Sequence, residues 1–263
     1  MNIKKYRAVM SCELKNAVIY RGSTWLRAGL SIVTIALAYL LWSAVFRGAE
    51  RYEGFTLPEM TTYYLLGGIL SGLTLSEGLL HEFSNEIKTG GYSKFMVRPV
   101  SPLVYFVSAS FARAALPMLS MGTVLTACML LFSQYFAPVS LPDVLSALPV
   151  ILLGGVMNML IQFIIAMFTF RLTDIGFIFV VQHIVVSFFS GSLLPLHMVF
   201  GDKIARWLPF SYTLYYPVLL CMGKAELSPV MATLILSAWI MVFVGFCTLL
   251  VRRAPRRFEG VGI

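Results

Sequence analysis

VMATLILSAWIMVFVGFCTLLV, residues 230–251, is a run of 22 residues without a charge, preceded by Pro229 and followed by Arg252 and Arg253. A helix needs about 20 apolar residues to cross the hydrocarbon core of a bilayer. The run therefore reads as a membrane span. Working outward toward the amino end, five more apolar stretches stand at 175–196, 144–170, 116–136, 63–80 and 28–46, leaving almost nothing for a soluble domain.

Composition agrees. The 263 residues are 59% hydrophobic and only 12% charged, with aromatic rings at 14% and a mean hydropathy of +0.83. No water-soluble domain of this size has such a balance. Unpaired backbone groups are too costly in hydrocarbon for open sheets, and the apolar runs lack the strict alternation of barrel strands. The expected fold is an all-α membrane protein of six transmembrane helices, a single unit over 1–263.

Lys and Arg are retained on the cytoplasmic side of a membrane, so their placement orients the spans. Six spans put both termini on one side. With both termini inside, 14 basic residues are cytoplasmic and five, Arg47, Arg51, Lys203, Arg206 and Lys224, are outside. The remaining one, Arg113, reads as flanking the third span on its inner side. The net charge of +8 is then mainly a topology signal that needs no nucleic-acid partner. Arg252, Arg253, Arg256 and Arg257 also suit anionic lipid head groups.

The first apolar stretch follows some 27 charged or amphipathic residues and is too long for a secretory signal, so it reads as a retained anchor. Within that leader, Ile3, Tyr6, Met10, Leu14 and Ala17 share one helical face, opposite Lys4, Lys5 and Lys15. Residues 1–22 are thus expected to form an interfacial amphipathic helix. Cys12, Cys128, Cys221 and Cys247 are solitary, which suits apolar filling rather than a disulfide framework or metal site.

The longest inner loop, 81–102, runs from His81 through Glu82, Phe83, Glu86, Ile87 and Lys88 to Gly90 and Gly91, then on to Pro99 and Pro102. Phe83 and Ile87, four apart, line a single apolar edge along the opening turns of this loop, and the glycines stop the helix. The run Glu86-Ile87-Lys88-Thr89-Gly90, followed by Arg98-Pro99 and Pro102 and joined to six spans and an interfacial first helix, resembles the permease subunits of type-2 ABC exporters. The aromatic and proline-rich segment Trp207-Leu208-Pro209-Phe210, Tyr215-Tyr216-Pro217 and Gly223-Lys224 adds to the likeness.

That resemblance implies an ATP-driven exporter in the bacterial cytoplasmic membrane. It would have two ATPase subunits and a second permease, a related sister chain or otherwise an identical copy. ATP and Mg would be bound by the partner ATPase, with no cofactor in this chain. The loop after the second span would hold a coupling helix, in which Phe83 and Ile87 sit in a groove of the ATPase while Glu82, Glu86 and Lys88 pair with its rim. A solvated connector is the plain alternative. No Gly-x-x-x-x-Gly-Lys-Ser/Thr phosphate loop is present, so the chain is not expected to hydrolyse ATP itself. Nor does it carry HExxH, GxSxG or clustered Cys and His ligands.

Gly68, Gly72 and Ser76 recur every four residues in the second span, a seam that lets two helices approach closely, with a contact inside one chain preferred over one between permeases. Asn158 and Gln162 share a face of the fourth span; Gln182, His183 and Ser187 do the same in the fifth. Polar groups in lipid are costly, so they read either as a substrate path or as hydrogen bonds that hold helices together. Residues 197–228 are too apolar for an ordinary external loop and suggest a re-entrant or interfacial hairpin, with Trp207, Tyr212, Tyr215 and Tyr216 at the outer boundary. An ATP-independent carrier would show internal repeats or intramembrane ionisable groups. A membrane scaffold would leave the polar strip without purpose. The apolar path suits an amphipathic substrate, whether drug, peptide or lipid-like.

Overall fold

The computed structural model describes residues 3–19, 21–72, 77–93, 95, 101–170 and 176–253. Ser76 of the glycine seam, Arg98 and Pro99 of the inner loop, and Arg256 and Arg257 of the terminal basic cluster lie outside them. In chain order the helices are α1 (Ile3–Ile19), α2 (Arg21–Phe46), α3 (Leu57–Ser71), α4 (Glu77–Lys88), α5 (Pro102–Leu131), α6 (Leu141–Phe168), α7 (Gly176–Ser190), α8 (Leu196–Ala205), α9 (Tyr215–Cys221) and α10 (Pro229–Arg253). A 3₁₀ turn, Pro209–Thr213, joins α8 to α9. No strand occurs among the described residues.

Four helical segments are long and apolar enough to cross a membrane: Gly22–Phe46, Pro102–Leu131, Leu141–Phe168 and Pro229–Arg253. Large apolar side chains stay exposed along α2 (Leu26, Leu30, Leu37) and α10 (Val230, Leu234, Met241). A water-soluble monomer rarely shows such continuous apolar surface, whereas a bilayer covers it. This is an all-helical, multi-pass membrane protein.

Among the described residues, no single long helix covers the other two expected spans. Where 63–80 was expected to cross, α3 ends at Ser71 and α4 starts at Glu77. Fifteen residues of α3 span about 22 Å, short of the roughly 30 Å hydrocarbon core. Where 175–196 was expected, α7 stops at Ser190, because Gly191 turns the chain with φ at +85°. Leu193 to Leu196 continue the apolar run in sequence but not the helix. Hydropathy measures preference for lipid; only the breakers set helix length. Conversely, the third helix starts far before Leu116, at Pro102, whose missing N–H costs nothing at the first helical position.

α6 is the central helix, buried along most of its length, with α10 lying against it. Two apolar cores divide it. One surrounds its amino-terminal half, where Val150, Ile151 and Met157 meet Tyr63, Tyr212 and Tyr215. The other surrounds its carboxyl-terminal half, where Leu160 and Phe163 meet Phe83, Phe106 and Cys247. α3 is started by Thr56, which accepts the Glu59 N–H while Glu59 accepts the Thr56 N–H at 2.8 Å.

Candidate functional site

The short helix α4 and its neighbours form the first place where chemistry gathers. Its apolar edge faces inward: Phe83 is 2% exposed and Ile87 6%. The Phe83 ring lies 5.5 Å from Phe106 of α5, 5.7 Å from Phe163 of α6 and 6.1 Å from Tyr92. Phe83 and Ile87 therefore do not present themselves to a partner's groove, as their spacing suggested; burial against α5 and α6 already uses that edge. The outward face is polar, with His81, Glu82, Asn85, Lys88 and Thr89 exposed and Glu86 half-buried. Beyond Lys88 the chain turns at Gly90, φ +82°, and the Tyr92 N–H donates to the Glu86 carbonyl at 3.2 Å.

Arg113 does more than flank a span. Its Nε donates to Glu13 of α1 and its Nη2 to Glu82 of α4, each at 2.6 Å. Glu13 is 7% exposed. One guanidinium thus joins three helices. α5, with 30 residues, is about 45 Å long, longer than the roughly 30 Å hydrocarbon core, and its first turns meet α1 and α4. Met10 and Leu14 of α1 are exposed, while Glu13 turns inward. The sequence held a signal for this ionic group: Glu13 is the only acidic residue among the first 27, and Arg113 the only charge between Arg98 and Asp143.

A second polar group lies about the opposite half of α6. A cavity of about 190 Å³ is lined by, among others, Phe55, His197, Asp202, Arg206, Tyr215 and Lys224. Lys224 Nζ pairs with Glu59 at 2.8 Å, donates to the Gly54 carbonyl at 3.1 Å and lies 4.6 Å over the Phe55 ring. His197 stacks on the same ring, centroids 5.0 Å apart, with its Nδ1 3.1 Å from the Tyr215 hydroxyl. Tyr215 in turn donates to Asp202 at 3.0 Å. Burial holds the His197 pKa below its ordinary 6.5, outweighing the opposite pull of Asp202 and Glu53. Of the rings expected at a membrane boundary, only Trp207 is exposed. Tyr212, Tyr215 and Tyr216 are buried, because each finds packing inside and Tyr212 also donates to the Arg206 carbonyl at 2.7 Å.

Asn158 and Gln162 are both 2% exposed within α6. His183 is exposed on α7, with Gln182 and Ser187 half-buried, and the Ser187 carbonyl receives the Ser190 and Ser192 hydroxyls. Neither set lines the two larger cavities, which are almost wholly apolar. One, about 690 Å³, lies between α3, α5 and α6 beside Ile69, Met118, Met129 and Leu148. The other, about 390 Å³, lies between α2 and α5 beside Ile35, Tyr39 and Cys128. Gly68 and Gly72 face α5: a Cβ on Gly72 would stand 2.8 Å from the Met118 Cα, and one on Gly68 3.0 Å from Leu125 Cδ1. No group of three or more potential metal ligands occurs among the described residues.

Compared with known proteins, residues 32–262 match the family model described as ABC-2 family transporter protein. No curated protein and no solved structure matches the chain.

Proposed function

We propose, since this chain belongs to the ABC-2 transporter family and is a transport permease, that it is the membrane subunit of an ATP-driven exporter and carries an amphipathic substrate out of the cytoplasm or inner leaflet. The observation that carries this reading is the family match over most of the chain, 32–262. ATP and Mg bind in a separate ATPase, present in two copies, because this chain has no phosphate loop. A second permease, by preference a sister chain, completes the assembly. The chain sits in the bacterial inner membrane with both termini cytoplasmic; α3 with the chain up to Leu80, and α7 with the chain up to Leu196, supply the other two crossings.

On this reading α4 is the coupling helix, and its contact with the ATPase is polar. Glu82, Glu86 and Lys88 belong to that contact, while Phe83 and Ile87 anchor the helix from behind. The buried Phe83 and the exposed Asn85 and Lys88 support this division. The large apolar cavity beside Met118 and Leu148 supports an amphipathic cargo, because its walls offer hydrocarbon contact and few polar atoms. Gln182, His183 and Ser187 of α7 face the partner permease, and Asn158 and Gln162 hold α6 in the bundle. Segment 197–228 forms the outer cap.

Purification of the tagged chain from its native membrane in mild detergent tests the proposal. The expected preparation holds an ATPase and a second permease, and hydrolyses ATP. A chain that purifies alone and transports on a proton gradient would be a secondary carrier instead.

A further inference from the structure

We propose that Arg113 is a positioning residue: it fixes the pose of α4 against α1 and α5, at a hinge in α5, so that force on α4 is passed to the helices of the transport path. This rests on reading α4 as the ATPase-facing helix.

Two observations meet at this residue. The first is the fork, in which separate nitrogens of one guanidinium hold Glu13 and Glu82, partners 100 and 31 residues away in the chain. A planar guanidinium fixes both directions at once, which the single ammonium of a lysine does not. Glu13 is almost completely buried, so removing Arg113 would leave a buried carboxylate unpaired.

The second is Pro117, four residues on and inside the helix. Proline has no N–H to return to the carbonyl at position i−4, which here is that of Arg113, and its ring crowds that carbonyl. The helical ladder of α5 is therefore interrupted at the residue that grips α4. Met118, next in sequence, is where the backbone of Gly72 at the end of α3 crosses α5, too close for a Cβ. Phe106, which packs on Phe83, lies on the same side of the interruption as Arg113.

α4 is thus attached in two ways. The aromatic packing of Phe83 on Phe106 and Phe163 holds α4 against α5 and α6. The Arg113 fork adds direction. Together they make α1, α4 and residues 102–113 one unit, hinged at the Pro117–Gly72 crossing.

The test uses the full chain with whatever co-purifies, in lipid, with spin labels on Asn85→Cys of α4 and Leu141→Cys at the far end of α6, and exposed Cys12 replaced by Ser. Wild type is expected to give one narrow distance distribution that shifts when ATP and vanadate are added. Arg113→Gln and Arg113→Lys should both broaden it and abolish the shift, while the ATPase still co-purifies in the wild-type ratio. Exchanging charges, Arg113→Glu with Glu82→Arg in a Glu13→Gln background, should restore the narrow distribution. An Arg113→Gln distribution as narrow as wild type overturns the proposal. So does failure of the exchanged charges to restore it. If no ATPase accompanies the wild-type chain, the proposed function fails, and the distribution widths, which need no nucleotide, still decide the role of Arg113.

Discussion

At the scale of single residues, the close approaches give the sharpest expectations. A Cβ on Gly154 would stand 2.3 Å from the Tyr212 carbonyl oxygen, where α6 passes the 3₁₀ turn. Backbone cannot retreat as a flexible side chain does, so Gly154→Ala should lower stability by about 1–3 kcal/mol. Thermal unfolding in detergent reads this, and an unchanged midpoint would contradict the packing described. His197 gives a pH dependence with a definite sign. Its folded pKa lies below 6.5, chiefly through burial, so the unfolded chain binds more protons in that window. The contribution of neutral His197 is complete above pH 6.5 and is lost as pH falls below it. Unfolding followed against pH should show a steeper acid decline for wild type than for His197→Gln; equal slopes would place the histidine in water. Glu13 and Arg113 stood out in the sequence by their isolation, yet their pairing was not legible there, because 100 residues separate them and only the packing of α1 on α5 brings them together. The same limit hid the burial of Tyr212 and Tyr216: an aromatic with a polar tip suits a membrane boundary and a satisfied core equally well.

At the scale of elements, apolar runs showed that helices exist but not where they end. α6 and α10 were read within a few residues, since their runs coincide with their helices. α7 ends short of its apolar run, which continues past Gly191, whereas α5 begins at Pro102, well before Leu116, because Leu103 to Val107 are already apolar and the charge of Arg113 interrupts the hydropathy without breaking the helix. α4 is the proposed coupling helix, and its two faces make opposite predictions. Phe83→Ala removes a ring at the centre of the second core and should cost about 3–5 kcal/mol, seen as faster proteolytic cleavage at Lys88. Lys88→Glu, on the exposed face, should leave the unfolding midpoint of the isolated chain within about 0.5 kcal/mol of wild type. The same substitution should weaken retention of the ATPase. A Lys88→Glu chain that keeps its ATPase and full ATP-dependent transport would remove α4 from the coupling surface.

At the scale of the whole molecule, a long buried helix organises two cores, with α4 beside one and the polar chamber of His197 and Lys224 beside the other. Membership of the ABC-2 transporter family makes this a permease, and permeases of that family normally work with ATPase subunits. The proposed mechanism depends on α4 meeting such an ATPase subunit. Photo-crosslinking amino acids placed singly at Asn85 and Lys88, and at the distant Leu141, test it in native membranes. The first two are expected to capture a chain carrying a phosphate loop, and Leu141 is not. Capture of that chain from Leu141 alone, or from none of the three while the intact complex purifies, would contradict the assignment of α4 as the coupling helix.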